Sequence, residues 1–252
     1  VQHHGLDVLQ LMNGRSNFLR KLQRNYIKRK GINQLNKIDL NIGVANRVLT
    51  ELNAFLYYSP KAENILYNGV DTSKFFPIEM ENNEFYTIGC IANFWKIKDH
   101  ITLIRAVEQL LRSGKRIKLM LIGSGLTFAF CKSYVIKNSL TDNIIFLPEK
   151  EHSKLNDFYN SIDLFVMPSY YEALGCVYLE AWATNTPFIG VESQGISEIV
   201  SLPEFMLIKK QDVSELKEKI LYFMNSNTEI KFDNKWSIEN TIRHFLNFKI
   251  FN

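Results

Sequence analysis

Two glutamates and a glycine surround the start of one predicted helix. Residues 168–176 read PSYYEALGC and follow an apolar run that is typical of a buried strand. A helix N-terminus that opens beside a glycine such as Gly175 presents free backbone N–H groups and a partial positive charge, which suits a phosphate. Glu172 precedes the helix and Glu180 lies inside it, so the two carboxylates could share a cleft. The simpler alternative is a solvated Glu172 and a Glu180 bound to a neighbouring side chain.

A lysine-containing loop follows an earlier predicted strand. Residues 93–99 read NFWKIKD, and Asp99 is predicted to be the N-cap of the next helix. Lys98 could bind a diphosphate, because its ammonium is a compact cation with three donors. A solvated surface lysine is the ordinary alternative for this loop taken alone. Residues 123–125, GSG, form a partial glycine loop without the full dinucleotide-binding pattern.

The elements that must position these residues are those of a parallel sheet. Nearly continuous apolar runs predict strands at 85–92, 116–122, 144–147, 163–167, 188–191 and 206–208. Helical patterns of about 10–15 residues separate them, which indicates βαβ units and a doubly wound sheet. Ligands of such sheets bind at the carboxyl ends of the strands, where both candidate segments lie. Residues 1–70, in contrast, hold too few predicted strands for a sheet of their own.

Composition narrows the class of protein. The chain has 252 residues, 46% of them hydrophobic, and a formal net charge of +4, which describes a globular protein and does not favour nucleic acid as a partner. The three cysteines, Cys90, Cys131 and Cys176, do not suggest a disulfide framework, so we expect a cytoplasmic setting. No apolar stretch reaches the ~20 residues of a membrane span. The first residue is Val1, and we expect the chain to be a fragment.

In order and spacing, these segments resemble the retaining, nucleotide-sugar-dependent glycosyltransferases with two facing Rossmann-like lobes, the GT-B type of group 1 or family 4. The resemblance covers most of residues 40–225. Glu172 and Glu180 match the paired glutamates of that family. The other matching motifs are LYNGVD at 66–71 with FP at 76–77, IAN at 91–93 with Lys98, LIRA at 103–106, LIGSG at 121–125, IFLP at 145–148, YNSID at 159–163, PSYYEALG at 168–175, LEA at 179–181, TPFI at 186–189 and GISE at 195–198.

The resemblance implies an α/β fold with a doubly wound carboxyl-terminal domain and a partial amino-terminal lobe. Residues 1–70 would be the remnant of the acceptor-side lobe, and 71–230 would form the nucleotide-sugar-binding Rossmann-like domain. Residues 231–252 would form a helix that crosses back to the first lobe. Its apolar side chains would be partly uncovered, unless they pack on residues 1–60. With most of the amino-terminal lobe absent, we expect the fragment alone to be inactive.

The resemblance also implies a role for each site residue. Glu172 would bond the donor sugar, Lys98 would bind the diphosphate, and His4 would lie near the reacting sugar, so these three are the predicted catalytic residues. Glu180 would accept from the ribose hydroxyls. The remaining predicted donor-binding residues are Ala173, Leu174, Gly175 and Cys176 at the diphosphate, Pro148, Glu149 and Lys150 near the nucleobase, and Asn93, Gly123 and Ser124 at the neighbouring strand ends.

Some positions depart from the family pattern. The family usually has Gly-Arg where this chain has Ala92 and Asn93, so one diphosphate cation is absent unless Lys96 replaces it. Removing one cation from a transition-state clamp costs about 3 kcal/mol, so activity could be low or the donor unusual. Pro148 and Gln194 also replace common glycines.

The resulting expectation is an enzyme that moves a sugar from a UDP- or GDP-sugar to a glycan or lipid-linked acceptor with retention, in polysaccharide biosynthesis. No Asp-x-Asp occurs in the chain, so we expect no metal and no other cofactor. The alternatives are a nucleotide-sugar epimerase of the same fold and a non-catalytic nucleotide-sugar-binding protein. The basic, amphipathic stretch from Arg15 to Lys30 could contact the inner membrane face, although a solvated helix face is the simpler interpretation.

Overall fold

The chain forms two compact units, each with its own parallel sheet. The computed structural model describes residues 1–4, 18–80, 84–199, 206–226 and 230–248. One unit comprises Val1–Asn68 and Thr241–Asn252, and the larger one comprises Gly69–Asn240. The three-part division implied by the resemblance stays a prediction.

The smaller unit contains a three-stranded sheet. Its elements are β1 (Gln2–His3), α1 (Phe18–Leu35), β2 (Asn41–Gly43), α2 (Asn46–Asn53) and β3 (Glu63–Ile65). The strands lie in the order β1-β2-β3, and both pairs are parallel. The expectation that residues 1–70 form no sheet is therefore wrong. Because β1 and β3 are short and only partly buried, their sequences lack the apolar run that marks a buried strand.

The larger unit is built on a six-stranded sheet. Its strands are β4 (Tyr86–Ile91), β5 (Ile117–Ile122), β6 (Ile144–Leu147), β7 (Leu164–Val166), β8 (Phe188–Val191) and β9 (Leu207–Ile208). They are all parallel and lie in the order β6-β5-β4-β7-β8-β9. The doubly wound α/β sheet predicted from the sequence is confirmed. The strand order reverses between β4 and β7, and ligands of such sheets bind where the order reverses.

Helices connect the strands of the larger sheet and cover its core. They are α3 (His100–Arg112), α4 (Phe128–Lys137), α5 (Leu155–Asn160), α6 (Cys176–Ala183), α7 (Ile196–Ile199) and α8 (Val213–Asn225). In α3, Leu103, Val107 and Leu110 recur at helical spacing and are fully buried. Asp99 precedes α3, as predicted, and its carboxylate accepts a hydrogen bond from the Thr102 hydroxyl at 2.7 Å.

The last helix, α9 (Ile238–Leu246), returns the chain to the smaller unit. Phe248 is 5% exposed and packs with Ile42 and Phe245 in a small apolar cluster of that unit. Ile242 remains half exposed. One face of this segment therefore packs on the residues before 60, and another face is uncovered. Within the described ranges, no helix is both long enough and apolar enough to span a membrane.

Candidate functional site

The loops after β4 and β5 meet through glycines that no other residue could replace without a shift. Gly123 has φ +142°, and an added Cβ would collide with the carbonyl oxygen of Ala92. Gly125 has φ +144°, and its Cβ would lie 2.8 Å from the carbonyl oxygen of Phe94. The Phe94 N–H donates to the Ser124 carbonyl at 2.7 Å. These contacts hold the two loops together at the carboxyl ends of their strands.

Lys98 is positioned by a single turn of 3₁₀ helix, Lys96–Lys98, in the loop after β4. The carbonyl oxygen of Ile97 accepts two hydrogen bonds, one from the Tyr170 N–H at 3.0 Å and one from the Ser169 hydroxyl at 3.1 Å. This loop is therefore bonded to the loop after β7, across the point where the strand order reverses. The Lys98 side chain lies inside that junction.

The Lys98 ammonium forms an ion pair with the carboxylate of Glu172. The two side chains are only 20% and 17% exposed, so the pair is shielded from solvent. Residues that are 74 positions apart in the sequence, each predicted from a different motif, are thus brought into direct contact. In the structure as it stands, the cation and the carboxylate neutralise each other.

The Glu172 backbone is held from both sides by the loop after β8. Its N–H donates to the side-chain oxygen of Gln194 at 2.8 Å, and its carbonyl accepts from the Gly195 N–H at 3.3 Å. A Cβ at Gly195 would collide with the carbonyl oxygen of Ala173, so the two loops can approach only because residue 195 is a glycine. Gln194, which replaces a common glycine of the family, therefore supplies an acceptor that positions Glu172.

Gly175 forms the N-terminal boundary of α6. It has φ +82°, and an added Cβ would lie 2.7 Å from the Tyr178 ring. Ala173 and Leu174 are buried, whereas Cys176 is exposed. The first turn of α6 begins beside Glu172, and its backbone N–H groups give this end of the cleft a positive potential. The predicted diphosphate segment, residues 173–176, is thus continuous with the Lys98–Glu172 pair.

Both oxygens of the Glu180 carboxylate have partners. The Tyr159 hydroxyl donates to Oε2 at 2.8 Å, and Nε2 of His152 lies 3.0 Å from Oε1. Glu180 is 7% exposed and Tyr159 is fully buried. Burial, reinforced by the adjacent carboxylate, raises the pKa of Tyr159 well above its ordinary value, so this hydroxyl remains a donor.

His152 and Tyr159 were not predicted as site residues. The Phe75 ring packs edge-on against both, with centroid distances of 5.1 and 5.9 Å. Tyr159 lies in the amphipathic helix α5, where a tyrosine beside a phenylalanine suggests only a core position. His152 lies in a single turn of 3₁₀ helix, His152–Lys154, whose polar sequence contains no motif. Only their contacts with Glu180 in the folded chain identify them as residues of the site.

A cleft of about 200 Å³ lies at the ends of β4, β5 and β6. Asn93, Gly123, Glu149 and Lys150, all predicted to bind the donor, contribute to its lining. The hydroxyl of Ser124 donates to the carboxylate of Glu149. Pro148 directly follows β6. The residues predicted for the nucleobase end are therefore gathered in one place.

Two residues that were considered for the site, Lys96 and His4, do not line this cleft. Lys96, considered as a replacement for the absent arginine, lines a separate cavity with Trp95 and Phe130 instead of the cleft that holds Asn93. His4 is exposed and belongs to the smaller unit, after β1, and its role stays a prediction. In the described part of the chain, no group of three or more His, Cys, Asp or Glu side chains is arranged to hold a metal ion.

The arrangement combines two kinds of chemistry. A lysine and the positively polarised N-terminus of α6 can neutralise phosphate oxygens, and two carboxylates can accept hydrogen bonds from hydroxyl groups. The lysine, the start of α6 and the two carboxylates all lie at or beside the point between β4 and β7 where the strand order reverses. A ligand that carries both phosphates and hydroxyls, such as a sugar nucleotide, fits this combination.

Comparison with known proteins agrees with that chemistry. The sequence profile of the family described as "Glycosyl transferases group 1" matches residues 71–242. A putative glycosyltransferase of Bacillus subtilis, EpsF, is 29% identical over 136 residues, which are 50% of this chain and 35% of the relative. A GDP-mannose-dependent phosphatidylinositol monomannoside mannosyltransferase of Corynebacterium glutamicum is 25% identical over 178 residues, 64% of this chain and 46% of the relative.

Solved structures share the fold. Sucrose-phosphate synthase from Thermosynechococcus elongatus has a TM-score of 0.74 and 20% identity, and the match covers 99% of this chain and 64% of the other. Anabaena HepE, solved in complex with UDP and glucose, has a TM-score of 0.74 and 16% identity over 86% of this chain and 65% of the other. The predicted GT-B-type, Rossmann-like architecture is thereby confirmed.

The extent of these matches decides what they establish. The chain spans about a third to a half of the length of the curated relatives described above. The family profile, however, covers residues 71–242, well over half of the 252 residues. On this basis, the chain belongs to the group 1 family of glycosyltransferases.

Proposed function

We propose that the protein transfers a sugar from a UDP- or GDP-sugar to a glycan or lipid-linked acceptor, with retention of anomeric configuration and without a metal ion, as in family 4. The observation that carries this proposal is the contact between Lys98 and Glu172 beside the start of α6. It places a cation, a carboxylate and the positive end of a helix around one point. These are the groups that a sugar diphosphate requires.

The diphosphate end is assigned to Lys98 and α6. As the bond between sugar and diphosphate breaks, negative charge builds on the leaving group, and preorganised positive groups stabilise it. Lys98 would exchange its contact with Glu172 for the diphosphate. A metal ion would then be unnecessary, because the lysine and the N–H groups of residues 173–176 neutralise the charge.

The sugar and nucleoside ends are assigned to the two glutamates. Glu172 would accept from hydroxyls of the donor sugar, since it lies beside the residue that would hold the diphosphate. Glu180 would accept from the ribose hydroxyls through Oε1, because Tyr159 occupies Oε2 and is buried, whereas the His152 side chain is 61% exposed and can move. The nucleobase would enter the cleft formed by Asn93, Glu149 and Lys150.

The acceptor class is inferred from the relatives. A protein of Staphylococcus aureus, 26% identical over 174 residues, is named a capsular polysaccharide biosynthesis glycosyltransferase. The mannosyltransferase of Corynebacterium glutamicum is named for a phosphatidylinositol acceptor. These names support a glycan or lipid-linked acceptor for this chain. They also support a sugar nucleotide donor, in agreement with the UDP bound to Anabaena HepE.

A peripheral contact with the cytoplasmic membrane face is part of the proposal. Residues 15–17 of the basic stretch lie outside the described residues, and the rest of it falls in α1. In the described part, Arg29 and Lys30 are exposed, and so are Tyr26 and Ile27. Basic and apolar side chains on one exposed helix are suited to an anionic leaflet.

The test is a titration of nucleoside diphosphates and their sugars, with excess EDTA present. We expect wild-type affinity to be the same with EDTA as with Mn²⁺. Glu180→Gln should weaken the diphosphate and the sugar nucleotide equally, by about tenfold or more, because charge-assisted hydrogen bonds are worth about 1.5–3 kcal/mol. Glu218→Gln, on the exposed face of α8, is the control. Loss of binding in EDTA would refute the proposal of a metal-free site. Unchanged nucleotide affinity in Glu180→Gln would show that Glu180 does not bind the nucleotide.

A further inference from the structure

A second cavity lies in the larger unit, beside the loop that carries Lys98. It has a volume of about 290 Å³, and its walls include Trp95, Lys96, Asp99, His100, Phe130 and Cys131. None of its lining residues also lines the cleft that holds Asn93 and Gly123. The cavity is therefore separate from the proposed nucleotide site. We refer to it as the Trp95–Phe130 pocket.

Apart from the carboxyl group of Asp99, the inner wall of this pocket is uncharged at neutral pH. His100 is 2% exposed and stacks on Phe94 with ring centroids 3.8 Å apart. Burial lowers the pKa of His100 to about 4, so the imidazole is neutral. Burial also raises the pKa of the Cys131 thiol to about 11. A neutral ring and a neutral thiol present a surface that suits an apolar group.

The rim of the pocket exposes aromatic surface. Trp95 is 48% exposed and Phe130 is 58% exposed. A single exposed apolar side chain is ordinary, but two large rings bordering one cavity are typical of a ligand site. Covering both rings with an apolar chain would remove this surface from water, which is favourable.

The mouth of the pocket is positively charged. Lys96 is exposed and, among the described residues, makes no ion pair. The one carboxylate in the lining, Asp99, is 5% exposed and accepts from the Thr102 hydroxyl. Arg105 and Lys210 lie near enough to Asp99 to favour its charged form, against the stronger effect of burial. Among the residues that line the pocket, Lys96 is therefore the exposed charge, and it makes the mouth attractive to an anion.

We propose that the Trp95–Phe130 pocket binds a single-chain anionic amphiphile. The apolar tail lies between the rings of Trp95 and Phe130, and a phosphate or carboxylate head contacts Lys96. This site does not depend on the proposed transfer reaction. It is connected to that site, however, because the Ile97 carbonyl of the same loop is bonded to Ser169 and Tyr170, just before Glu172.

The experiment is a calorimetric titration of the whole chain with decyl phosphate below its micelle concentration. Inorganic phosphate and decanol are the matched ligands, since each lacks one half of the amphiphile. We expect decyl phosphate to bind about tenfold tighter than either, because tail and head contribute separately. Trp95 supplies a second readout through a change of its fluorescence, since the other two tryptophans, Trp182 and Trp236, do not line the pocket.

Matched variants locate the site. Phe130→Ser should weaken decyl phosphate about tenfold, whereas Ile136→Ser should not, although Phe130 and Ile136 are both 58% exposed and lie on the same helix. Lys96→Gln should weaken it about threefold or more at low salt, and Lys137→Gln should leave it unchanged. These surface changes do not affect the core, so loss of folding does not obscure the result.

Several outcomes would overturn the proposal. Equal loss in Phe130→Ser and Ile136→Ser would mean that the tail lies elsewhere. Equal affinity for decanol and decyl phosphate would show that the anionic head does not contribute to binding. Binding only to vesicles of anionic lipid, with no binding of the monomer, would replace the pocket by a membrane-contact surface.

Discussion

The Lys98–Glu172 ion pair joins the two ends of the proposed donor site. Its side chains are largely shielded from solvent. Removing one partner of a shielded pair leaves the other charge uncompensated, so the two residues should respond differently to substitution. Free nucleoside diphosphate must compete with Glu172 for Lys98, whereas a sugar nucleotide can offer hydroxyls to Glu172 at the same time.

Substitutions of Glu172 and of Lys98 should therefore change the affinity for free nucleoside diphosphate in opposite directions. Glu172→Gln should bind free nucleoside diphosphate about two- to fivefold tighter than wild type, because Lys98 is released from its carboxylate. It should also lower the rate of transfer, by about tenfold for each ~1.4 kcal/mol of lost transition-state binding. Lys98→Ala should weaken the diphosphate. Calorimetry of the chain measures the change in diphosphate affinity, and steady-state kinetics of the intact protein measure the change in transfer rate, with Glu218→Gln as the control. A diphosphate affinity that falls equally in both variants would contradict this division of roles.

Among the elements, the strand-end loops depend on glycines for two different reasons. Gly123 has both a positive φ and a backbone carbonyl in the place of a Cβ. Gly114, which ends α3, has φ +82° but nothing within 4 Å of an added Cβ. Alanine at Gly114 would therefore carry only the cost of the backbone conformation, whereas alanine at Gly123 would carry that cost and the cost of a collision.

We expect Gly114→Ala to lower the free energy of unfolding by about 1 kcal/mol, the cost of the left-handed region. Gly123→Ala should cost about 3 kcal/mol or more, because the collision with Ala92 adds strain and forces the two loops apart. Urea denaturation of both variants measures the difference. Nucleotide affinity should fall only in Gly123→Ala. Similar midpoints for the two variants would show that the loops are not held by this close approach.

The start of α3 should make the larger unit sensitive to acid. The pKa of His100 is about 4 in the folded chain and 6.5 without burial, so the unfolded chain takes up a proton first as the pH falls. The contribution of the neutral ring is complete above pH 6.5 and is lost between pH 6.5 and 4, by about 3 kcal/mol. His100→Phe retains the stack on Phe94 and should remove this loss. His244→Gln, at an exposed position, should retain it. Parallel stability curves for wild type and His100→Phe across this range would contradict the assignment.

At the scale of the whole molecule, the two ends of the chain meet in the smaller unit. The chain leaves that unit after Asn68 and returns to it at Thr241. Phe248 then packs with Ile42. The larger unit is one uninterrupted stretch between them, so a change in the last helix should affect the smaller unit first.

Phe248→Ala should destabilise the smaller unit by about 3 kcal/mol, the usual cost of removing a buried phenylalanine. Ile242→Ala, at a position that is 50% exposed, should have less effect than about 1 kcal/mol. Native-state hydrogen exchange can follow the Ile42 amide, which donates to the Val1 carbonyl in the smaller sheet, and the Ile88 amide in β4. Exchange at Ile42 should accelerate in Phe248→Ala alone. Equal acceleration at both amides would show that the two units unfold together.

The larger sheet, the family and most of the candidate residues could be predicted from the amino-acid sequence. Apolar runs and helical periodicity are properties of neighbouring residues, so β4 to β9 could be predicted without coordinates. The motif around Glu172 and Glu180 could also be recognised, because its residues lie within one loop and one helix. The short strands β1 and β3 could not, since they have little apolar surface to bury.

The contacts between these residues, in contrast, follow from the three-dimensional fold. Lys98 meets Glu172, and Tyr159 and His152 meet Glu180, across 74, 21 and 28 positions of sequence. Such contacts depend on the strand order β6-β5-β4-β7-β8-β9, and that order is set by packing of the whole sheet. The same packing created the Trp95–Phe130 pocket from α3, α4 and the segment before α8. Local patterns contain no information on distances between elements, because those distances follow from how the elements bury their apolar faces together.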